Sequence, residues 1–200
     1  MFREYALVFE EFVEKVNKIR QYNGYKCFSG ENSGLESKEF DDLNGPLFAA
    51  GFKWPFEADE VWLKGKIVIP ERIAGIPLTG SKAVLAHMSF CSSVLYINGE
   101  KRVDEKWWVN TDVPLSDSLN SHDVFDISIR FQKIDGNNLL CPPQILIDRV
   151  ESVLLKIDGF FKALKFLARL IELGEIKDKE LINIYDNIGK VVKQIKFVKN

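Results

Sequence analysis

The spacing of apolar residues changes period twice along this chain. Phe9, Phe12, Val16 and Ile19 recur at intervals of three and four, Val8 and Val13 widen the stripe, and Glu10, Glu11, Glu14, Lys15 and Lys18 take the other face. That pattern predicts an amphipathic helix over 4–20. Between 59 and 132 the period is two. Val61, Leu63, Gly65, Ile67 and Ile69 alternate with Lys64 and Lys66 up to Pro70, and Val84, Ala86, Met88 and Phe90 form a second apolar set. Val109, Thr111, Val113 and Leu115 form a third, and Phe125, Ile127, Ile129 and Phe131 a fourth, set against Asp126, Ser128, Arg130 and Gln132. Alternation of this kind, broken by Gly, Pro, Asn and Ser, belongs to half-solvated antiparallel strands and predicts a β-sandwich.

The Asn98-Gly99 pair follows the β-branched and aromatic run 94–97. Both residue types tolerate positive φ, so a type I′ hairpin is expected there. With 83–90 and 107–115 as neighbouring strands, the hairpin is expected in the middle of an antiparallel sheet. The stretch 24–58 is rich in Gly, Ser, Asn and Pro and reads as irregular chain. Tyr25-Lys26-Cys27-Phe28 is a short strand candidate within it, and 47–54 is expected to lie against the core.

Past Cys141-Pro142-Pro143 the helical period returns. Val150, Val153, Leu154, Ile157, Phe161, Leu164, Leu167, Ala168 and Ile171 make a stripe that Gly174 ends. Gly159, inside it, is expected to bend the helix or to allow a close contact. A second helix is expected from about Asp178 through Leu181, Ile184, Tyr185, Ile188, Val191, Val192 and Ile195. The fold class is therefore α+β: an antiparallel β-sandwich flanked by an N-terminal helix and two C-terminal helices. The expected division is 1–23 for the first helix, 24–143 for the sandwich with its irregular entry, and 144–200 for the helical segment.

Composition narrows the function classes. The chain has 200 residues, 46% hydrophobic and 28% charged, with 27 Lys and Arg against 29 Asp and Glu and a net charge of −2. No single-sign block offers a face to a polyanion, so nucleic acid is not an expected partner. Acidic residues interrupt the N-terminal apolar pattern and no stretch approaches a membrane span, so a soluble, cytoplasmic protein is expected. Cys27, Cys91 and Cys141 are odd in number and far apart, which argues for neither a disulfide framework nor a zinc ribbon.

The inventory of reactive groups is thin. His87 falls on the polar face of its strand by the alternation, and His122 follows Asn120-Ser121 in a loop. Each is expected to be solvated or singly hydrogen-bonded, because no partners stand at zinc-ligand spacing. Asp123 adjoins His122, but neighbours in extended chain point to opposite sides. Asp41-Asp42 and Asp104-Glu105 read as solvated carboxylate pairs in loops, and no nucleophile elbow or phosphate-binding loop appears. The site-like feature is aromatic. Trp62, Trp107 and Trp108 are candidate carbohydrate contacts, since an exposed indole beside Asn, Asp and Lys stacks on and hydrogen-bonds a sugar ring; packing in the core is the competing role.

The order Val61-Trp62-Leu63, Ile67-Val68-Ile69-Pro70, Leu95-Tyr96-Ile97-Asn98-Gly99-Glu100, Val113-Pro114-Leu115 and Phe125-Asp126-Ile127-Ser128-Ile129 resembles the N-terminal, galactose-binding-like sandwich of glycoside hydrolase family 38 α-mannosidases. Ile147-Asp148-Arg149-Val150-Glu151 and the helices after it resemble that family's connection towards its catalytic domain. The resemblance implies a jelly-roll sandwich in the non-catalytic N-terminal region of a retaining α-mannosidase. It also implies a zinc ion and an aspartate nucleophile held in a catalytic domain of the same or a neighbouring polypeptide. The family's His-x-His-x-Asp type zinc motif is not among these 200 residues, so no catalytic and no metal residue is assigned here and the isolated chain is expected to lack glycosidase activity.

Two other readings use the same residues. One is a free-standing carbohydrate-binding module, favoured by exposure of Trp62, Trp107 or Trp108 on one face. The other is an interaction or scaffold protein that binds through its C-terminal helices, where Phe160, Phe166, Leu170, Ile182 and Val192 lie beside the main stripes and are expected to remain available, for a catalytic domain or for self-association.

Overall fold

The computed structural model describes residues 2–22, 24–30, 34–36, 44–48, 54, 57–134, 140–176, 179, 181–183 and 186–188, with side chains from residue 9 onward. The chain divides into two compact units. One comprises Lys18–Glu71 and Leu78–Ile147, the other Met1–Asn17, Arg72–Pro77 and Asp148–Asn200.

The first unit is the sandwich. Its larger sheet contains β1 (Lys26–Ser29), β2 (Glu60–Val68), β6 (Ser92–Ile97), β7 (Glu100–Glu105) and β9 (Val124–Gln132), in the order β1-β2-β9-β6-β7. The smaller contains β5 (Ala83–Ser89), β8 (Val109–Ser116) and β10 (Gln144–Ile147), in the order β10-β5-β8. All pairings in both are antiparallel. Val61, Leu63 and Ile67 of β2, Leu95 and Ile97 of β6 and the four apolar residues of β9 form the inner face of the larger sheet, as their alternation predicts. Tyr25 and Tyr22 pack over Gly65, where an added Cβ would come within 2.6 Å of the Tyr25 ring.

The hairpin forms at Asn98-Gly99, with φ of 52° and 78°. Both values are positive, which is what a type I′ turn requires. Its place in the sheet differs from expectation: β5 and β8 pair with each other in the other sheet, β9 is the second neighbour of β6, and β7 is an edge. The composition of β7 accounts for this. Glu100, Lys101, Arg102, Asp104 and Glu105 are exposed, and charge along an unpaired edge discourages further pairing.

The face of β5 is inverted relative to the alternation. Ala83, Leu85, His87 and Ser89 are buried, while Val84 and Ala86 are half-buried and Met88 and Phe90 exposed. Alternation alone does not choose between the faces because both are mixed, and the polar residues inside find partners: the His87 Nε2 lies 3.0 Å from the Ser93 hydroxyl, and the Ser89 hydroxyl donates to the Cys91 carbonyl at 2.9 Å. The outer face of the larger sheet departs as well. Trp62, Lys64 and Ser128 are buried there, because the turn at 34–36 lies over it: Leu35 packs with Trp62, Phe28 and Tyr96, and the Leu35 carbonyl accepts the Ser128 hydroxyl at 3.1 Å. Burial lowers the Lys64 pKa, and Asp126 and Glu36 oppose that shift. Phe48 and Trp54 of the 47–54 run are buried, whereas Leu47 is exposed.

β10 was not legible as a strand. Gln144–Ile147 pairs along β5 and buries Ile145 and Ile147, so the sandwich unit extends to Ile147.

The second unit is mainly helical. Its α1 (Phe2–Arg20) buries Phe12 and Val16, and α2 (Asp148–Glu172) buries Val150 and Leu164. Phe9 and Phe161 pack with ring centroids 4.9 Å apart, and Phe161, Leu167, Ala168, Ile171 and Ile188 surround Leu164. Gly174 ends α2 with φ of 71°; its N–H reaches the Ile171 carbonyl and the Glu175 N–H the Leu170 carbonyl, closing the last turn as a Schellman cap. Past it, 179, 181–183 and 186–188 are helical; Asp178, Ile184, Tyr185, Val191, Val192 and Ile195 of the expected second helix lie outside the described residues. A two-residue pair, β3 (Arg72–Ile73) with β4 (Ile76–Pro77), also belongs to this unit, and the Arg149 guanidinium donates to the Pro77 carbonyl at 3.0 Å. Among the described residues no helix is long and apolar enough to cross a membrane.

Candidate functional site

The tryptophans separate by environment. Trp62 is 3% exposed, stacked on Tyr96 with centroids 6.0 Å apart, and its indole N–H donates to the Glu60 carboxylate at 2.6 Å. It offers no ring face to a ligand, because the turn at Leu35 covers the sheet face on which it stands. Trp107 and Trp108 are 72% and 61% exposed. They occupy the link from β7, the edge of the larger sheet, to β8, the edge of the smaller.

Trp107 lines a cleft of about 530 Å³ together with Asp59, Lys133 and Ile134. Strand register assembles it. Glu60 opens β2 opposite Gln132, which closes β9 and also faces Ser92 at the start of β6. Asp59 and Lys133 therefore flank one end of the sheet, tied by the Lys133 N–H donating to the Asp59 carbonyl at 2.9 Å. β7 runs towards the same end and delivers Trp107 just past its last residue. An adjoining hollow of about 460 Å³ shares Asp59 and Lys133 and adds Glu57, Glu60 and Gln132. Asp59, Lys133 and Ile134 carry no signal in the linear sequence; only the pairing of β2 with β9 brings them to Trp107.

The cleft combines an indole wall with the Asp59 carboxylate and the Lys133 ammonium, and the adjoining hollow adds Glu57 and Glu60; an exposed indole can stack on an apolar C–H face, carboxylates can accept from hydroxyls and an ammonium can donate to oxygens.

The remaining reactive groups are structural. His87 is fully buried: its Nε2 lies 3.0 Å from the Ser93 hydroxyl, its ring centroid is 6.3 Å from that of Phe131, and among the described residues Nδ1 has no hydrogen-bond partner. Its expected place on a solvated polar face is thus corrected, for the reason given for β5. Burial pushes its pKa down to about 4, so it is neutral near pH 7. The Asp123 carboxylate accepts the Asn120 N–H at 2.8 Å and the His122 N–H donates to the Ile69 carbonyl, so both shape the loop. Asp104 and Glu105 stand on the edge strand β7 instead of in a loop, with Asp104 2.8 Å from Lys101; Asp41-Asp42 lies outside the described residues. All three cysteines are free, and burial raises each thiol pKa, to about 11 for Cys27, which keeps them protonated. Among the described residues no three His, Cys, Asp or Glu side chains converge to hold a metal ion.

No family model and no curated protein matches this chain. Solved structures do resemble it in part. A β-glycosidase from Bacteroides vulgatus aligns over 64% of this chain and 20% of its own, at 16% identity and a TM-score of 0.49. A glycosyl hydrolase family 2 member from Bacteroides cellulosilyticus aligns over 63% and 20%, at 13% identity and 0.46. Bacteroides uniformis β-glucuronidase 2 aligns over 63% and 17%, at 13% identity and 0.48. The match spans a fifth or less of each of these proteins, and none of the three is described as an α-mannosidase. Identities and scores this low assign neither family nor activity.

Proposed function

We propose that this chain is the non-catalytic, carbohydrate-contacting sandwich region of a glycoside hydrolase, with Trp107 as the sugar platform. The observation that carries the reading is the 72% exposure of Trp107 on the wall of a cleft that also presents Asp59 and Lys133. A large aromatic surface left in water beside hydrogen-bonding groups is the chemistry of sugar recognition and serves no packing role.

In its finer form the proposal makes this the N-terminal region of an α-mannosidase of glycoside hydrolase family 38. The support is the order of sequence segments from Val61 to Glu151 that resembles that family. On that reading a catalytic domain, in the same polypeptide or a neighbouring one, is the partner and supplies the zinc site and the nucleophile.

The exposure of both Trp107 and Trp108 favours a second reading, a free-standing carbohydrate-binding module built on the same cleft. Calorimetric titration against mannans, glucans, xylans and their oligosaccharides tests the shared element. Saturable binding that Trp107→Ala removes while leaving the melting curve in place is the expected result. A wild-type chain that binds none of these polymers sinks both readings. A glycosidase that this chain co-purifies with and activates separates the accessory region from the free-standing module.

A further inference from the structure

Cys91 and Cys141 are far apart in sequence, and the pairing of β10 with β5 brings them to one place. Gln144 stands opposite Ala86 and Ile147 opposite Ala83. Continued back from Gln144, that antiparallel register sets Cys141 level with Ser89. Pro143, Ile145 and Ile147 are buried while Gln144 is exposed, so Cys141 falls on the inward side with them and, across the pair, with Leu85, His87 and Ser89. Ser89 is the residue that holds Cys91. Its hydroxyl oxygen accepts the Cys91 N–H at 3.2 Å, the hydroxyl donates to the Cys91 carbonyl at 2.9 Å and it lies 3.4 Å from the Cys91 sulfur, so the turn out of β5 folds the Cys91 thiol back over Ser89. Opposed residues of an antiparallel pair stand about 5 Å apart, and a disulfide joins Cα atoms about 4.4–6.8 Å apart. Electrostatics agrees with the placement: charge on Cys141 raises the Cys91 thiol pKa beyond what burial does, an influence exerted between near groups.

We propose that Cys91 and Cys141 form a reversible dithiol–disulfide pair, oxidised by a low-molecular-weight disulfide of the glutathione type that enters at Cys141. Exposure fixes the order of events, because Cys91 is fully buried and Cys141 half-buried. The Cys141 thiolate attacks one sulfur of the small disulfide, breaks its S–S bond and releases a small thiolate, which takes up the proton that Cys141 lost. Cys91 then attacks the Cys141 sulfur, forming the Cys91–Cys141 bond and expelling the second small thiolate, which takes the Cys91 proton. Two protein thiols are oxidised, and the small disulfide is reduced to two thiols. Burial raises both thiol pKa values, so the reduced pair lacks the stabilisation that a thiolate confers and the closed bond resists reduction. The bond ties the chain entering β10 to the turn between β5 and β6. Cys27, on the edge strand β1 of the other sheet, has no part in it. This inference is independent of the carbohydrate reading.

The test equilibrates the full chain with oxidised glutathione, blocks the remaining thiols with a maleimide under denaturing conditions and maps the peptides without reduction. The expected product carries an intramolecular bond between the Cys91 and Cys141 peptides and leaves Cys27 to the maleimide. It should melt roughly 5–10 °C above the reduced chain, a gain that dithiothreitol reverses. Cys91→Ser should stop at a glutathione adduct on Cys141, and Cys141→Ser should take up no glutathione at Cys91. Cys27→Ser should behave as the wild type does. A wild-type chain that keeps all its thiols free, that retains glutathione on Cys141 with Cys91 unpaired, or that cross-links only between chains overturns the inference. So does a closed bond that lowers the melting midpoint, because the native fold would then have to distort to accept it. The wild-type map decides the matter even where a serine variant fails to fold.

Discussion

Asn98 holds Asp126 by both backbone groups: the Asn98 side-chain oxygen accepts the Asp126 N–H at 2.9 Å, and the Asn98 N–H donates to the Asp126 carbonyl at 2.8 Å. The turn that joins β6 to β7 is thereby clamped onto β9, which explains a short side chain with an acceptor oxygen at a position where glycine would also accept positive φ.

Gly99→Val is expected to destabilise the sandwich by about 1–3 kcal/mol, because a β-branched residue is strained at a φ of 78°. Asn98→Ala should cost about 1–2 kcal/mol through the lost hydrogen bond and the lost tolerance of positive φ. Chemical denaturation midpoints check both, and an unchanged midpoint for Gly99→Val would show that the turn is not of the primed type.

His87 makes stability depend on pH. Its pKa is lowered by burial from 6.5 to about 4, so the folded chain resists a proton that the unfolded chain accepts. The stability is complete above pH 6.5 and falls as pH drops towards 4, by up to about 1.4 kcal/mol per pH unit from this group. In His87→Gln, which keeps a polar group near Ser93 but does not titrate, thermal midpoints should decline less steeply over that window. Parallel declines in the two proteins would refute the assignment.

The two tryptophan environments give opposite expectations. Trp62→Ala removes a buried ring from contact with Leu35 and Tyr96 and should cost about 3–5 kcal/mol. Trp107→Ala should change stability by no more than about 0.5 kcal/mol while abolishing carbohydrate binding. Melting curves and titration calorimetry on the same two variants separate a packing residue from a binding residue.

The purified chain should not turn over an aryl α-mannoside. Retaining hydrolysis requires a nucleophilic carboxylate and an acid/base across the glycosidic bond, and on the proposed reading both belong to the catalytic domain. Turnover that survives purification from a host lacking the activity would overturn this expectation.

Local pattern was sufficient for much of the architecture. The strict alternation of β9, the Asn-Gly turn and the apolar stripe of α2 ended by Gly174 each express a constraint between near neighbours in sequence: pleat, positive φ, helical repeat. Those are set before the chain has a tertiary structure. Which face of β5 turns inward, that Lys64 and Trp62 are covered, that the hairpin lies at an edge and that Asp59 and Lys133 stand beside Trp107 were decided only by packing. The reason is that each depends on a distant segment. His87 is tolerated inside because Ser93 of another strand meets its ring nitrogen, Trp62 and Lys64 are buried because the turn at 34–36 folds over their sheet, and the cleft exists because β2 begins where β9 ends. Periodicity records that a residue has two sides; only the partner strand or loop determines which of them is wet.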